Sequence, residues 1–328
     1  MRTIKVEHQH WRTAGAFTIA RGSITEIEVI RVTIRDGEHT GRGECRPYAR
    51  YHETPASVIA QINTIKEELA AGLDPESLQA RLPAGAARNA VDCALWDLRA
   101  KQHGVRIWQL LGIEAPKPRT TAYTLSVDSP QNMAVAAGQA RDYPLLKLKI
   151  GETGGLSATL AVLEARPDAE LIVDANEALH PDEVQAFRAA LSDKPVALIE
   201  QPVAASKFDQ VENRPKALPV LCADESLHTR NELSALWTAG YRAVNVKLDK
   251  CGGLTEGLAL MQAARQMGFV IMAGCMVGTS LAMAPMMALS AFADIIDLDG
   301  PLLLERDVAN GLEYNGPTIA PPRPELWG

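Results

Sequence analysis

The sequence predicts an α/β fold, a barrel of eight parallel strands with a smaller α+β unit in front of it. Three observations carry that prediction. The chain has 328 residues, room for about two domains, one of them a barrel of roughly 250 residues. Ionisable residues recur at the ends of short apolar runs: Lys149, Asp174, Glu200, Asp224 and Lys247, at intervals of 25, 26, 24 and 23 residues. That period suits a repeated strand–helix unit. The character of the chain also changes at Ala115-Pro116-Lys117-Pro118, a plausible linker. The expected boundaries are 1–117 for the α+β unit, 118–304 for the barrel, and 305–328 for a Pro- and Gly-rich segment that returns to the first unit.

In chain order, Ile4–Val6 and Glu28–Ile34 alternate like strands, and Asp36-Gly37 marks a hairpin between Ile24–Arg35 and His39–Glu44. Thr54–Ala71 places Val58, Ile59, Ile62, Ile65 and Leu69 on one helical face. Ala84–His103 does the same with Ala87, Val91, Ala94, Leu95 and Leu98. Barrel strands are expected near Thr121–Leu125, Leu145–Ile150, Glu170–Asp174, Val196–Glu200, Val220–Ala223, Ala243–Leu248, Val270–Ala273 and Ile295–Leu298. A doubly wound open sheet is the runner-up, but no Gly-rich phosphate loop follows any of these strands.

Composition narrows the function. A net charge of −7 gives no electrostatic case for nucleic acid or an anionic membrane. No run approaches the roughly 18 apolar residues of a membrane span. Five scattered cysteines without a CxxC pair suit reduced thiols, and MRTIKVEHQHW lacks an apolar stretch long enough for a signal peptide, so the expected compartment is the cytoplasm.

The strand ends carry the chemistry, because catalytic groups in parallel barrels sit there. Asp174, Glu200 and Asp224 end three consecutive strands. Three ionised carboxylates aimed at one place repel each other, and a hard divalent cation relieves that. All-oxygen ligation suits Mg²⁺ or Mn²⁺ better than zinc. The plain alternative is that each acid caps the following helix. Lys147 and Lys149 share one side of their strand by alternation. Their proximity, with a metal near, is expected to lower at least one lysine pKa toward that of a general base. Lys247 lies four strands further round, across the mouth. Two amines on opposite faces of one carbon are what epimerisation needs; snorkelling surface lysines are the alternative.

The set KLK, VDAN, IEQP, ADES, NVKLDKCGG and DLDG, in this order and spacing, resembles the muconate-lactonising subgroup of the enolase superfamily over nearly the whole chain. That resemblance implies a modified (β/α)7β TIM-like barrel, with an N-terminal capping domain completed by the C-terminal segment. It implies Asp174, Glu200 and Asp224 as Mg²⁺ ligands, Lys149 and Lys247 as the acid/base pair, and Lys147 as an electrostatic helper. Asp297 and Asp299, an Asp-x-Asp at the eighth strand, look like the dipeptide epimerase pattern, in which the carboxylates receive the substrate's α-ammonium; a turn built on Asp299-Gly300 is the alternative. The stretches ARGS, Pro83–Leu98 and Gly274–Ser280 resemble L-Ala-D/L-Glu epimerases. By that likeness Arg21, in a loop closing over the substrate, forks onto a second carboxylate. Thr121, Cys275 and Met276 join the substrate contacts, and Thr279 and Ser280 bring small hydroxyls. The implied reaction is 1,1-proton transfer on a dipeptide through an enediolate; barrels of this family are often homo-oligomers, and the sequence leaves the subunit count open. Competing readings are an o-succinylbenzoate synthase or muconate cycloisomerase type of lyase, a barrel enzyme acting on phosphates, and a non-catalytic barrel used for binding.

Overall fold

The computed structural model describes residues 1–211 and 219–328. Its N-terminal unit is a three-stranded antiparallel sheet, Thr3–Ile19, Gly22–Asp36 and His39–Cys45, packed on helices Pro55–Thr64, Lys66–Ala71, Pro75–Leu78 and Ala86–His103, while the next helix, Ile107–Leu111, packs into the barrel's core. The first strand is far longer than Ile4–Val6. Its sequence hides this, because hydrophobic alternation stops after Val6 and the outer half carries the exposed residues Arg12, Ala14, Gly15 and Ala16. Ala20 and Arg21 form the two-residue turn of this hairpin, with Ile19 paired to Gly22. The sheet buries Ile30, Val32 and Ile34 against Val58, Ile62, Ala90, Val91, Ala94 and Leu98 from the helices. The helix expected over Thr54–Ala71 breaks at Ile65.

The second unit is an eight-stranded parallel sheet in chain order: Tyr123–Leu125, Leu145–Lys149, Glu170–Asp174, Val196–Glu200, Val220–Ala223, Ala243–Val246, Val270–Gly274 and Ile295–Asp297. It closes on itself where Ala122 N–H donates to the Ile296 carbonyl at 2.8 Å, so all eight expected strands are present and the open-sheet runner-up is not. Outward residues such as Leu146, Leu148, Leu171 and Val173 pack under the surrounding helices. Inward residues Ala122, Ile172, Leu198, Cys222, Ala243 and Met272 plug the interior. Alternation therefore sends Lys147 and Lys149 inward, opposite to Leu146 and Leu148.

Polar residues of the long cap helix lock the two units together. Arg88 donates to the Cys251 carbonyl at 2.6 Å and the Gly252 carbonyl at 3.1 Å, Asn89 to Asp249 at 2.8 Å, and Asp92 accepts from Thr255 at 2.6 Å. Gly252 and Gly253 have φ of +83° and +109°, and a Cβ there would stand 2.4 Å from Arg88 Nε and 2.5 Å from the Asp92 side chain. Only glycine meets both demands. This turn ends the short helix Leu248–Cys251 that follows Lys247, so the cap fixes the position of one catalytic candidate. Gly253→Ala should lower thermal stability by about 1–3 kcal/mol, readable as a drop in Tm, and should slow turnover with it; an unchanged melt contradicts this packing.

The C-terminal segment makes a small hairpin, Tyr314–Asn315 with Thr318–Ile319, which pairs with Arg119–Thr120. Its last residues reach the first unit: Trp327 Nε1 donates to Cys93 O at 3.0 Å, and Arg42 to Leu326 O at 2.7 Å. All five cysteines are unpaired, and no helix of the described residues is long and apolar enough to cross a membrane.

Candidate active site

The strand tips converge on a buried charge cluster. Lys147, at 2% exposure, places Nζ 2.7 Å from Glu200 Oε2, 2.7 Å from Asp297 Oδ2 and 3.2 Å from Asp174 Oδ2. Lys149 Nζ lies 2.5 Å from Asp174 Oδ2, and Lys247 Nζ 2.7 Å from Asp224 Oδ2. The strand register sets Lys149, Asp174 and Glu200 side by side in one layer. Lys149 and Lys247 come from the second and sixth of eight strands, and both line one small cavity of about 60 Å³. Lys247 itself lies just past its strand, on extended backbone before the short helix.

Three residues outside the expected set hold these groups. Asn245 Nδ2 donates to Glu200 Oε1 at 2.7 Å. Gly274 makes the room, since a Cβ there would stand 2.2 Å from Asn245 Oδ1. Asn245 was legible: it is two residues before Lys247 and so on its side of the strand. Lys250, fully buried, donates to Asp224 Oδ1 at 2.5 Å and to the Asp224 carbonyl at 2.6 Å. Gln201 accepts from the N–H groups of Asp224 at 2.9 Å and Ser226 at 3.0 Å, so it fixes the fifth strand's tip from the fourth. Asn176, Glu177 and Gln201 all have positive φ, at 43°, 72° and 34°. Such backbone costs energy and clusters at functional sites.

The electrostatics differ from the expectation in one respect. Burial alone would lower Lys147 and Lys247, yet surrounding carboxylates hold both well above the usual lysine range, Asp297, Glu200 and Asp174 around Lys147 and Asp224 beside Lys247. The lowering expected for one of the adjacent pair Lys147 and Lys149 is not found at Lys147, because carboxylates outnumber the like charges that would cause it. Glu200 is pushed up to about 8 by burial and by Asp174, against the pull of Lys147. Burial would also raise Asp174 and Asp224, but Lys149 and Lys147 at the first, and Lys247 and Lys250 at the second, hold both low.

This donor set fits a hard divalent cation. It is all oxygen, it comes from consecutive strands, and Glu200 Oε2 lacks a hydrogen bond of good geometry despite its ion pair. Among the described residues, the only His, Cys, Asp and Glu trio whose ligand atoms all approach within 4.8 Å is His8, His10 and Glu28 on the cap sheet. The barrel carboxylates stand wider, each drawn to a lysine, so an ion would compete with ammonium groups for their oxygens.

The remaining expected contacts divide. Asp297 Oδ1 is buried without a partner, an acceptor in need of a donor. Asp299 Oδ2 accepts from Thr124 N–H at 2.7 Å and is pushed up to about 6 by burial and by Asp297. Cys275 and Met276 line the cavity. Thr121 does not; its Oγ1 accepts from Leu298 N–H at 2.9 Å and donates to the Ala122 carbonyl at 3.1 Å, closing the barrel seam. Thr279 and Ser280 are also spent, Thr279 on Glu44 at 2.8 Å and Ser280 on Asp307. Arg21 sits over the mouth, but its fork is engaged by Glu225 at 2.9 Å, Glu177 at 3.3 Å and the Asn176 carbonyl at 3.1 Å.

Known proteins share this architecture. The family described as enolase C-terminal domain-like matches residues 131–324, and the mandelate racemase / muconate lactonizing enzyme N-terminal domain matches residues 1–112. The L-Ala-D/L-Glu epimerase of Escherichia coli K12 is 44% identical over 96% of this chain and 98% of its own. An N-acetyl-D-glutamate racemase of Pseudoalteromonas sp. is 41% identical over 92% and 95%. A solved structure of an enolase family member from Agrobacterium tumefaciens with homology to dipeptide epimerases, with bound sodium and L-Ala-L-Glu and an ordered loop, is 43% identical, with a TM-score of 0.94 over 100% of both chains. With both domain families matched in order, and relatives alike over nearly their full length, the chain belongs to the mandelate racemase / muconate lactonizing enzyme family of the enolase superfamily.

Proposed function

We propose that this protein is a dipeptide epimerase, inverting the α-carbon of the C-terminal residue by 1,1-proton transfer, with L-Ala-L-Glu and L-Ala-D-Glu as its pair of substrates. The observation that carries the proposal is the placement of Lys149 and Lys247 on strands four apart in the ring, facing one cavity beside three buried carboxylates. One amine removes the α-proton from its side and the other delivers a proton to the opposite side. Such a proton is very weakly acidic, so charge stabilisation is the main requirement. Asp174, Glu200 and Asp224 would hold Mg²⁺, which when bound takes up their charge and polarises the substrate carboxylate. Lys147, fixed between Glu200 and Asp297, keeps a permanent positive charge near the developing negative one. Lys250 and Asn245 orient Asp224 and Glu200.

Asp297 favours the dipeptide over an N-acetylated amino acid. Its bare Oδ1 is suited to a charge-assisted bond from an α-ammonium, and an acetamide N–H is a weaker donor. The lyase readings lack any use for this acceptor, since their substrates carry no ammonium. The five free thiols and the E. coli relative's substrate support a cytoplasmic role in recycling peptidoglycan peptides.

The test is a screen in D₂O with Mg²⁺, reading α-deuterium by mass spectrometry across L-Ala-X dipeptides and N-acetyl-D-glutamate. L-Ala-L-Glu should be converted and labelled. Conversion of N-acetylglutamate with no dipeptide turned over would replace the proposal by the racemase reading.

A further inference from the structure

We propose that Arg46 forms an anion subsite on the cap side of the cavity and receives the side-chain carboxylate of an acidic C-terminal residue. This rests on the epimerase reading and names the group that would read the substrate's side chain.

Arg46 follows the third cap strand and lines the same cavity as Lys149 and Lys247. Among the described residues, its side chain has one hydrogen bond, to the Val277 carbonyl at 3.5 Å, at the weak limit. No ion pair engages it among the described residues. Tyr48 offers only a ring, 5.6 Å from the guanidinium carbon. Asp249 is tied up otherwise, accepting from the Arg46 backbone N–H at 3.1 Å and from Asn89 at 2.8 Å, and burial pushes it up to about 7. Burial lowers the pKa of Arg46 itself, by more than Tyr48 and Asp249 raise it.

The other cations around the mouth are satisfied. Lys149 and Lys247 each hold an aspartate, and Arg50 forks onto Glu177 at 2.7 and 2.8 Å. Arg21 is held by Glu225 and Glu177, which pins the tip of the cap hairpin to the barrel. That tip is also held where Val127 N–H donates to the Thr18 carbonyl at 3.0 Å. Arg21 therefore serves as the latch, and Arg46 as the cation with an open fork. A guanidinium matches a carboxylate with two parallel bonds, a match that neither an amide nor a methyl group can make.

The experiment measures kcat/KM for L-Ala-L-Glu and L-Ala-L-Gln with Mg²⁺ in wild type, Arg46→Met, Arg46→Lys and Arg21→Gln, with calorimetric Kd values for both dipeptides and a thermal melt of each variant. Truncating one partner of a buried charge pair typically costs on the order of 100-fold or more. Arg46→Met should therefore collapse the Glu-to-Gln ratio by that order, chiefly through KM and Kd, and Arg46→Lys should retain part of it. Arg21→Gln should weaken both dipeptides alike and leave the ratio. The inference is overturned if Arg46→Met leaves the ratio intact or lowers both dipeptides equally. It is equally overturned if Arg21→Gln is the variant that collapses it. Failure of the epimerase reading looks different: wild type then turns over and binds neither dipeptide, and the subsite falls with it.

Discussion

Lys149→Ala and Lys247→Ala should each abolish net epimerisation, and each should still exchange the α-proton of one stereoisomer with solvent, a different one in each variant. General acid–base groups contribute about 10²–10⁴-fold. Here the loss is at the upper end or beyond, because inversion needs both sides of the carbon served and no other amine can replace either one. Lys147 is held between Glu200 and Asp297, and Lys250 is buried on Asp224. Each substitution also leaves an aspartate without its lysine, so the variants need a melt and a circular dichroism spectrum beside the rate. Lys→Arg at the same positions keeps the charge but loses a group able to give up its proton, and should be equally inactive. Chiral separation of the products, with α-deuterium counted by mass spectrometry, decides the matter. Two variants exchanging the same isomer would place both nitrogens on one side.

The second large effect concerns the cation. Chelation with EDTA followed by dialysis should remove turnover, and Mg²⁺ should restore it. Without a cation, carboxylates hold the ammonium protons of Lys147 and Lys247 tightly, and burial together with Asp174 raises the pKa of Glu200. Adding Mg²⁺ at about 100 times its dissociation constant should stabilise the fold by about 2.7 kcal/mol, visible as a rise of a few degrees in Tm. Asp224→Asn should lose both the activity and the Mg²⁺-dependent rise. Full activity after exhaustive chelation, or an unchanged melt with Mg²⁺, would contradict this.

Much of the site was legible because strand alternation and the strand–helix period act locally. KLK places two lysines on one inward face, and the spacing of Asp174, Glu200 and Asp224 puts each at a strand tip. What the sequence hid depends on distant partners. Thr279 and Ser280 look available until Glu44 and Asp307, far away in the chain, consume their hydroxyls. Thr121 falls at the seam, where a hydroxyl stands in for a backbone bond. Arg21 and Arg46 are two arginines in cap segments with nothing local to tell them apart; only the fold shows one engaged by two carboxylates and the other by none. Lys250 was hidden for another reason: it follows the strand, on a helical turn, where the period of two no longer applies.

Two amines acting from opposite sides make one direct demand on the wild-type enzyme. L-Ala-L-Glu supplied in D₂O with Mg²⁺, quenched after the first few per cent of conversion, should give L-Ala-D-Glu carrying one deuterium at the glutamyl α-carbon in essentially every molecule. Product that keeps its original protium would mean that a single group removed the proton and returned it, and the central claim would be wrong.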